Sequence, residues 1–253
     1  MKIGISALLF NLDEALKICE KIKEIKHIEV GIDNIEECKK LMKYKSKFQD
    51  LDLSIGIHLP MELNTCENIR YIRESWKSFI LDMKEELNLL EISYFNLHLG
   101  YVMSNRLKKN REKYLEISIK FLNDLADSIK QNVFIENVYS KEGDFSNIGN
   151  MDYDFEYIFN KIKNERLGFC YDTGHNLINS GDYLGKLKDK IRLVHLSDND
   201  GIDDIHIGIG KGILSIEDIR KVVKNKPDFL ILEIGYEYIE ESIKILGSIV
   251  KEA

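Results

Sequence analysis

Six histidines and a set of carboxylates bounded by apolar residues hold most of the chemistry this chain can perform. His58 sits in the run LSIGIHL, His98 in YFNLHLG and His195 in RLVHLS, while His175 and His206 follow two such runs. Glu136 in FIENVY, Asp172 in CYDTGH and Glu233 in LILEIG occupy equivalent places, and Asp204 stands two residues before His206 in DDIH. Imidazole and carboxylate together make the donor set of zinc and, where oxygen predominates, of manganese. Taken singly, a histidine at the end of an apolar run reads as a hydrogen-bonded structural group. A glutamate flanked by apolar residues is a stronger signal, because a buried carboxylate is costly unless paired or metal-bound. The whole constellation points to a divalent metal site. His27 alone begins a run, which assigns it to the opposite, structural face.

The elements that must position these groups repeat as strand, then helix. Strands are predicted at 2–6, 27–32, 53–59, 94–100, 133–139, 167–172, 192–197 and 229–235. Several are apolar almost throughout, as parallel strands buried on both faces are. Helical periods lie between them. Leu12, Ala15, Leu16, Cys19 and Ile22 form one, with Asn11 and Glu14 placed for a capping box. Ile69, Ile72, Trp76, Phe79, Met83, Leu87 and Leu90 form the longest apolar face. Phe155, Ile158, Phe159 and Ile162 make another, Ser215 with Asp218 starts the next, and Ile239 to Ile249 the last. The pattern is weakest at 182–189. Eight such units fit a single (β/α)8 barrel domain over 1–253 better than an open doubly wound sheet. In a barrel all carboxyl-terminal strand ends share one rim, so the histidines and acids meet there.

Other features have plainer readings. Trp76, Phe79 and Phe121 read as packing, and Asp198, Asp200 and Asp203 in SDNDGIDD as solvated turn acids. GIGKG at 208–212 is either a flexible turn or a phosphate cradle made by Lys211 and amides such as that of Gly210. The formal charge of -7 disfavours nucleic acid as a partner. Cys19, Cys38, Cys66 and Cys170 lack C-x-x-C spacing and read as buried thiols of a reducing, cytoplasmic compartment. The first residues, MKIGISALLFNLDEA, carry no signal-peptide cleavage region, and no run approaches the roughly 18 apolar residues of a membrane span.

The fragments SIGIHLP, LHLG, FIENV, CYDTGH, VHLSDND, DDIHIGIGKG and LILEIG, in this order, extend over nearly the whole chain. Through them the chain resembles the xylose isomerase-like barrel superfamily of sugar phosphate isomerases/epimerases and endonuclease IV. The endonuclease IV branch implies three zinc ions on His58, His98, Glu136, Asp172, His175, His195, Asp204, His206 and Glu233. The isomerase branch implies one ion on Glu136, Asp172, His195 and Glu233, with the two glutamates doubling as an acid/base pair. There His175 would meet a substrate oxygen, and Lys211 and Gly210 a phosphate.

Departures separate the branches. Met61 and Glu62 stand where endonuclease IV carries its wedge into DNA, and GIDNIEE lacks that enzyme's arginine. SDNDGIDD in turn lacks an arginine found in the ketose epimerases. The resemblance implies a metal-dependent sugar or sugar-phosphate isomerase or epimerase working by proton transfer through an enediolate. The alternative is a zinc phosphoesterase of the endonuclease IV type, cleaving abasic-site DNA or a small phosphoester. A non-catalytic barrel is a third reading. Zinc is favoured, manganese suits the carboxylate-rich subsite, and one to three ions are accommodated. A homodimer is permitted and a membrane partner is not expected.

Overall fold

Strands that are apolar on both faces have no solvent side, and here they close on themselves under a cover of helices. The computed structural model describes residues 1–252. Its strands are β1 (Lys2–Leu8), β2 (Ile25–Gly31), β3 (Ser54–His58), β4 (Ile92–His98) and β5 (Tyr101–Met103). They continue as β6 (Asn132–Glu136), β7 (Phe145–Asn147), β8 (Leu167–Asp172), β9 (Ile191–Leu196) and β10 (Phe229–Leu232). Eight of them form a closed barrel in the order β1-β10-β9-β8-β6-β4-β3-β2, with parallel pairing throughout. This is a (β/α)8 barrel, and each of its strands overlaps one predicted from the sequence.

The helices are α1 (Leu12–Lys21), α2 (Ile35–Leu41), α3 (Lys45–Asp50), α4 (Arg70–Glu86) and α5 (Ser104–Ser128). After them come α6 (Asp152–Lys161), α7 (Thr173–Ile178), α8 (Tyr183–Lys186), α9 (Ile216–Asn225) and α10 (Ile239–Glu252). Three local expectations need correcting. Asn11 does not cap α1; its side chain accepts the Leu8 N–H instead, at 2.8 Å, and braces the turn that precedes the helix. The apolar stripe of α4 begins later than expected: Trp76 and Phe79 pack on the core and Met83, Leu87 and Leu90 are buried, whereas Ile69 and Ile72 face solvent. The 182–189 segment is the single turn of α8, followed by a 3-10 turn at Lys188–Lys190. Elsewhere the capping logic holds, for Ser215 accepts the Asp218 N–H at 3.1 Å and opens α9.

The predicted strand at 94–100 stops at His98, because Gly100 turns the chain with a φ of 104° into β5. β5 pairs antiparallel with β7 in a small ribbon of its own. The four cysteines are buried and free. Among the described residues no helix is long and apolar enough to cross a membrane.

Inside the barrel, Tyr94, Phe134, Cys170, Leu193, Phe229 and Ile231 form a distinct layer. Gly56 is required there, since a Cβ at that position would overlap the Tyr94 ring. His27 lies with this layer, away from the carboxyl-terminal rim as expected: it pairs with Ser54 at the start of β3, and its fully buried ring lies 4.5 Å from that of Phe229 at the start of β10. Burial, with Lys2 adding repulsion, pushes its imidazole down to about 3. The unfolded chain therefore takes up a proton near pH 6.5 that the native protein refuses until about pH 3. Stability from His27 is complete above that upper value and declines by roughly 1.4 kcal/mol per pH unit below it. Denaturant titrations at pH 7 and pH 5 should show a larger acid loss for the wild type than for His27→Gln.

Candidate metal centre

Strand register carries the side chains to a common rim. Gly31 of β2 pairs with His58, His58 of β3 with Asn96, His98 of β4 with Glu136, and Asp172 of β8 with His195. Glu233 lies one residue past β10, and His175 in the first turn of α7. Asp204 and His206 come from the long β9–α9 loop, where His206 takes a left-handed φ of 48°, uncommon for a side-chain-bearing residue.

Glu136 is the hub of the cluster. It is 1% exposed, and its oxygens lie 3.3 Å from His58 Nε2 and 3.4 Å from His98 Nε2. They also stand 3.4 Å from both His175 Nδ1 and His195 Nδ1. The Asn96 amide donates to the same carboxylate at 2.5 Å. His195 Nδ1 further faces Glu233 at 2.8 Å and Asp172 at 3.7 Å. Asp204 Oδ2 bridges His175 Nε2 and His206 Nε2, each at 3.1 Å. All nine residues singled out from the sequence thus form one connected cluster.

Backbone carbonyls settle how three of the rings point. His58 Nδ1 donates to Leu59 O, His175 Nδ1 to Asn137 O and His206 Nδ1 to Glu233 O, all at 2.8 Å. A carbonyl can only accept, so in the neutral ring the lone pair sits on Nε2. Asn137 also locks two strands together: its amide donates to Asp172 O at 2.9 Å and its Oδ1 accepts Asp172 N–H at 2.7 Å.

The charges are closely balanced. Burial opposes protonation of the imidazoles, yet Glu136 raises His58 to about 9, and Asp172 with Asp204 raises His175 to about 10. His206 reaches about 9 against its own burial through Asp204. In His98 burial prevails and the value falls. Burial lifts Asp172 to about 7, while His195 holds Glu233 down at about 2 in spite of burial.

Five buried atoms of these nine residues have no aligned hydrogen-bond partner: His98 Nε2, Asp172 Oδ2, both ring nitrogens of His195 and Asp204 Oδ1. Leaving such a group unsatisfied costs about 1–3 kcal/mol. Donor atoms of Glu136, Asp172, His195 and Glu233 all lie within 4.8 Å of one another, and those of His58, His98 and Glu136 form a second such group. A third group contains Cys170, a buried thiol pushed well above its usual range by burial and absent from the expected set. The residues present therefore fit a divalent ion.

Lys211 and Gly210 are not part of this arrangement. Lys211 pairs with Glu241 at 2.9 Å, and the Gly210 N–H goes to Asp198 Oδ2 at 3.0 Å. The same Asp198 carboxylate accepts the N–H groups of Asn199, Gly212 and Leu214. Asp198 is fully buried and knits the loop together, so it is neither a solvated turn acid nor a neighbour of free phosphate-binding amides. Glu29, Asn96 and Asn137, buried beside the cluster, were also not foreseen.

A cavity of about 590 Å³ opens over the centre. Its acidic wall residues are Glu29, Asp33, Glu136, Asp204 and Glu233, and Ala7, Leu8, Met61 and Ile234 supply an apolar side.

The family described as xylose isomerase-like TIM barrel matches residues 33–249. The chain belongs to that family. It is 30% identical over 263 residues to an uncharacterized protein of Methanocaldococcus jannaschii, covering 95% of each chain. It is 25% identical over 199 residues to a probable endonuclease 4 of Mycoplasmopsis pulmonis, covering 72% of this chain and 69% of that one. A crystal structure of a D-tagatose 3-epimerase-like protein superposes with a TM-score of 0.82 at 23% identity, covering 100% of this chain and 99% of the other.

Metal-free protein titrated with zinc or manganese in a calorimeter should bind at least one ion per chain. Glu136→Gln and Asp172→Asn should weaken that binding by roughly 100-fold or more, beyond the range typical of outer-shell changes. His98→Ala should remove only further ions and leave the first in place.

Proposed function

We propose that this protein is a divalent-metal-dependent isomerase or epimerase acting on a sugar or sugar phosphate. The observation that carries the reading is the placing of two glutamates, Glu136 and Glu233, around one metal-binding group at the floor of a small-molecule-sized cavity. Glu136, Asp172, His195 and Glu233 would hold the ion. When bound, the ion polarises a carbonyl with its neighbouring hydroxyl and stabilises the charge that develops next to them.

This chain's own groups handle the proton. One of Glu136 and Glu233 removes the carbon-bound proton as a carboxylate, giving an enediolate, and the other, having taken a proton from solvent, returns it to the same carbon or, with the hydroxyl proton passing to the neighbouring oxygen, to the adjacent one. The acidic wall suits an uncharged polyhydroxy substrate better than a phosphorylated one, since no energy is lost to repulsion. His175, in the cavity wall, would contact a substrate oxygen.

A second reading, phosphoester hydrolysis, is favoured by the additional His58–His98–Glu136 group, which would accommodate further ions. Duplex DNA is opposed by the mouth of the cavity. Asp33 and Glu62 are exposed there beside Met61, and this rim would repel a phosphate backbone.

The metal-loaded protein should exchange solvent deuterium into a member of a ketose and ketose-phosphate panel. Glu136→Gln and Glu233→Gln should each slow that exchange by about 100-fold to 10,000-fold. Efficient incision of an abasic-site duplex at low salt, lost in Glu233→Gln, would overturn the ranking in favour of the second reading.

A further inference from the structure

Below the rim, the barrel interior contains a line of polar groups that the proposed chemistry does not use. Ser54 Oγ lies 2.8 Å from His27 Nδ1, and His27 Nε2 lies 3.0 Å from the Tyr94 hydroxyl. Tyr94 donates to Glu29 Oε2 at 2.8 Å, and the other Glu29 oxygen stands 2.9 Å from His195 Nε2. His27, Glu29, Tyr94 and His195 are all 2% exposed or less.

The protons along this line can run in one direction only. Tyr94 has a single hydrogen, and it goes to the Glu29 carboxylate, which can only accept. The tyrosine oxygen is then left to accept from His27 Nε2–H. In the neutral ring that places the lone pair on His27 Nδ1, which takes the hydrogen of Ser54. The competing acceptor for Ser54, Lys26 O, is farther at 3.1 Å. Every donor on this side therefore leads towards Glu29, and the remaining acceptor oxygen of Glu29 faces His195.

His195 is the one ring of the cluster whose contacts are turned round. In His58, His175 and His206 the Nδ1 atom is occupied by a carbonyl, whereas His195 presents Nδ1 to Glu136, Asp172 and Glu233. Neither of its nitrogens has a hydrogen bond in line as the ring stands, although both have carboxylates at contact distance. We propose that Glu29 is the positioning residue that takes the Nε2–H of His195 and so directs Nδ1 at the metal group, with Tyr94 and His27 holding Glu29 in place. This rests on the metal-centre reading. Outer-shell acceptors of this kind fix a ligand ring's tautomer and orientation and raise its basicity.

The test uses the full-length protein and its Glu29→Gln and Tyr94→Phe variants, with folding checked by circular dichroism. Zinc affinity is measured by calorimetry, and the His195 Nε2–H proton is followed by NMR with and without zinc. The wild type should show a low-field, exchange-protected Nε2–H signal. Glu29→Gln should move or lose that signal and weaken zinc binding by about 10-fold to 100-fold at unchanged stoichiometry. Tyr94→Phe should shift both readouts the same way by less. A wild type that takes up no zinc would defeat the metal reading, yet the Nε2–H signal in the variants would still decide the role of Glu29. An unchanged signal in Glu29→Gln, or in Tyr94→Phe should the first variant fail to fold, would overturn the proposal. So would lowered thermal stability with unchanged zinc affinity, which would make Glu29 a packing residue only.

Discussion

A carboxylate buried at the mouth of a barrel is unstable by itself, and the surroundings of Glu136 follow from that constraint. Removing it from water demands opposite charge or donors on both oxygens. Four imidazoles and the Asn96 amide meet the demand, arriving from β3, β4, β9 and the first turn of α7. Those imidazoles must in turn be oriented, and the carbonyls of Leu59 and Asn137 orient two of them. The rim is thus a set of mutual obligations, in which moving one group leaves another buried and unpaired. That interdependence explains how so many polar atoms can share the floor of one cavity.

Barrel closure is what makes the arrangement affordable in conformational terms. Seven of the nine residues lie at or just past the end of a hydrogen-bonded strand, so their backbone is already fixed by the fold. Only Asp204 and His206 come from a long loop, and that loop is stiffened by the Asp198 carboxylate. Four main-chain N–H groups converge on it from Asn199, Gly210, Gly212 and Leu214. A segment rich in aspartate and glycine therefore behaves as a rigid part of the rim.

The barrel and the nine clustered residues were legible because two strong signals coincide in the sequence. Near-continuous apolar runs mark the strands, and a charged or imidazole side chain closes most of them. The β5–β7 ribbon was not legible, since strands of three residues leave no periodicity. Asp198 was misread because its neighbours have turn composition, while its partners lie up to 16 residues further along the chain. Only the start of the α4 stripe was misplaced, because exposed Ile69 and Ile72 extend the apolar period beyond the buried face. Glu29 was available in principle: in HIEVGI it is a glutamate between apolar neighbours, the same signal that marked Glu136 and Glu233.

The Asn137 side chain bonds both the N–H and the carbonyl of Asp172, while its own backbone follows directly on Glu136. The backbones that carry the Glu136 and Asp172 carboxylates are accordingly held in one relation, as in a caliper whose arms are clamped. What freedom the two carboxylates keep is that of their own side-chain torsions.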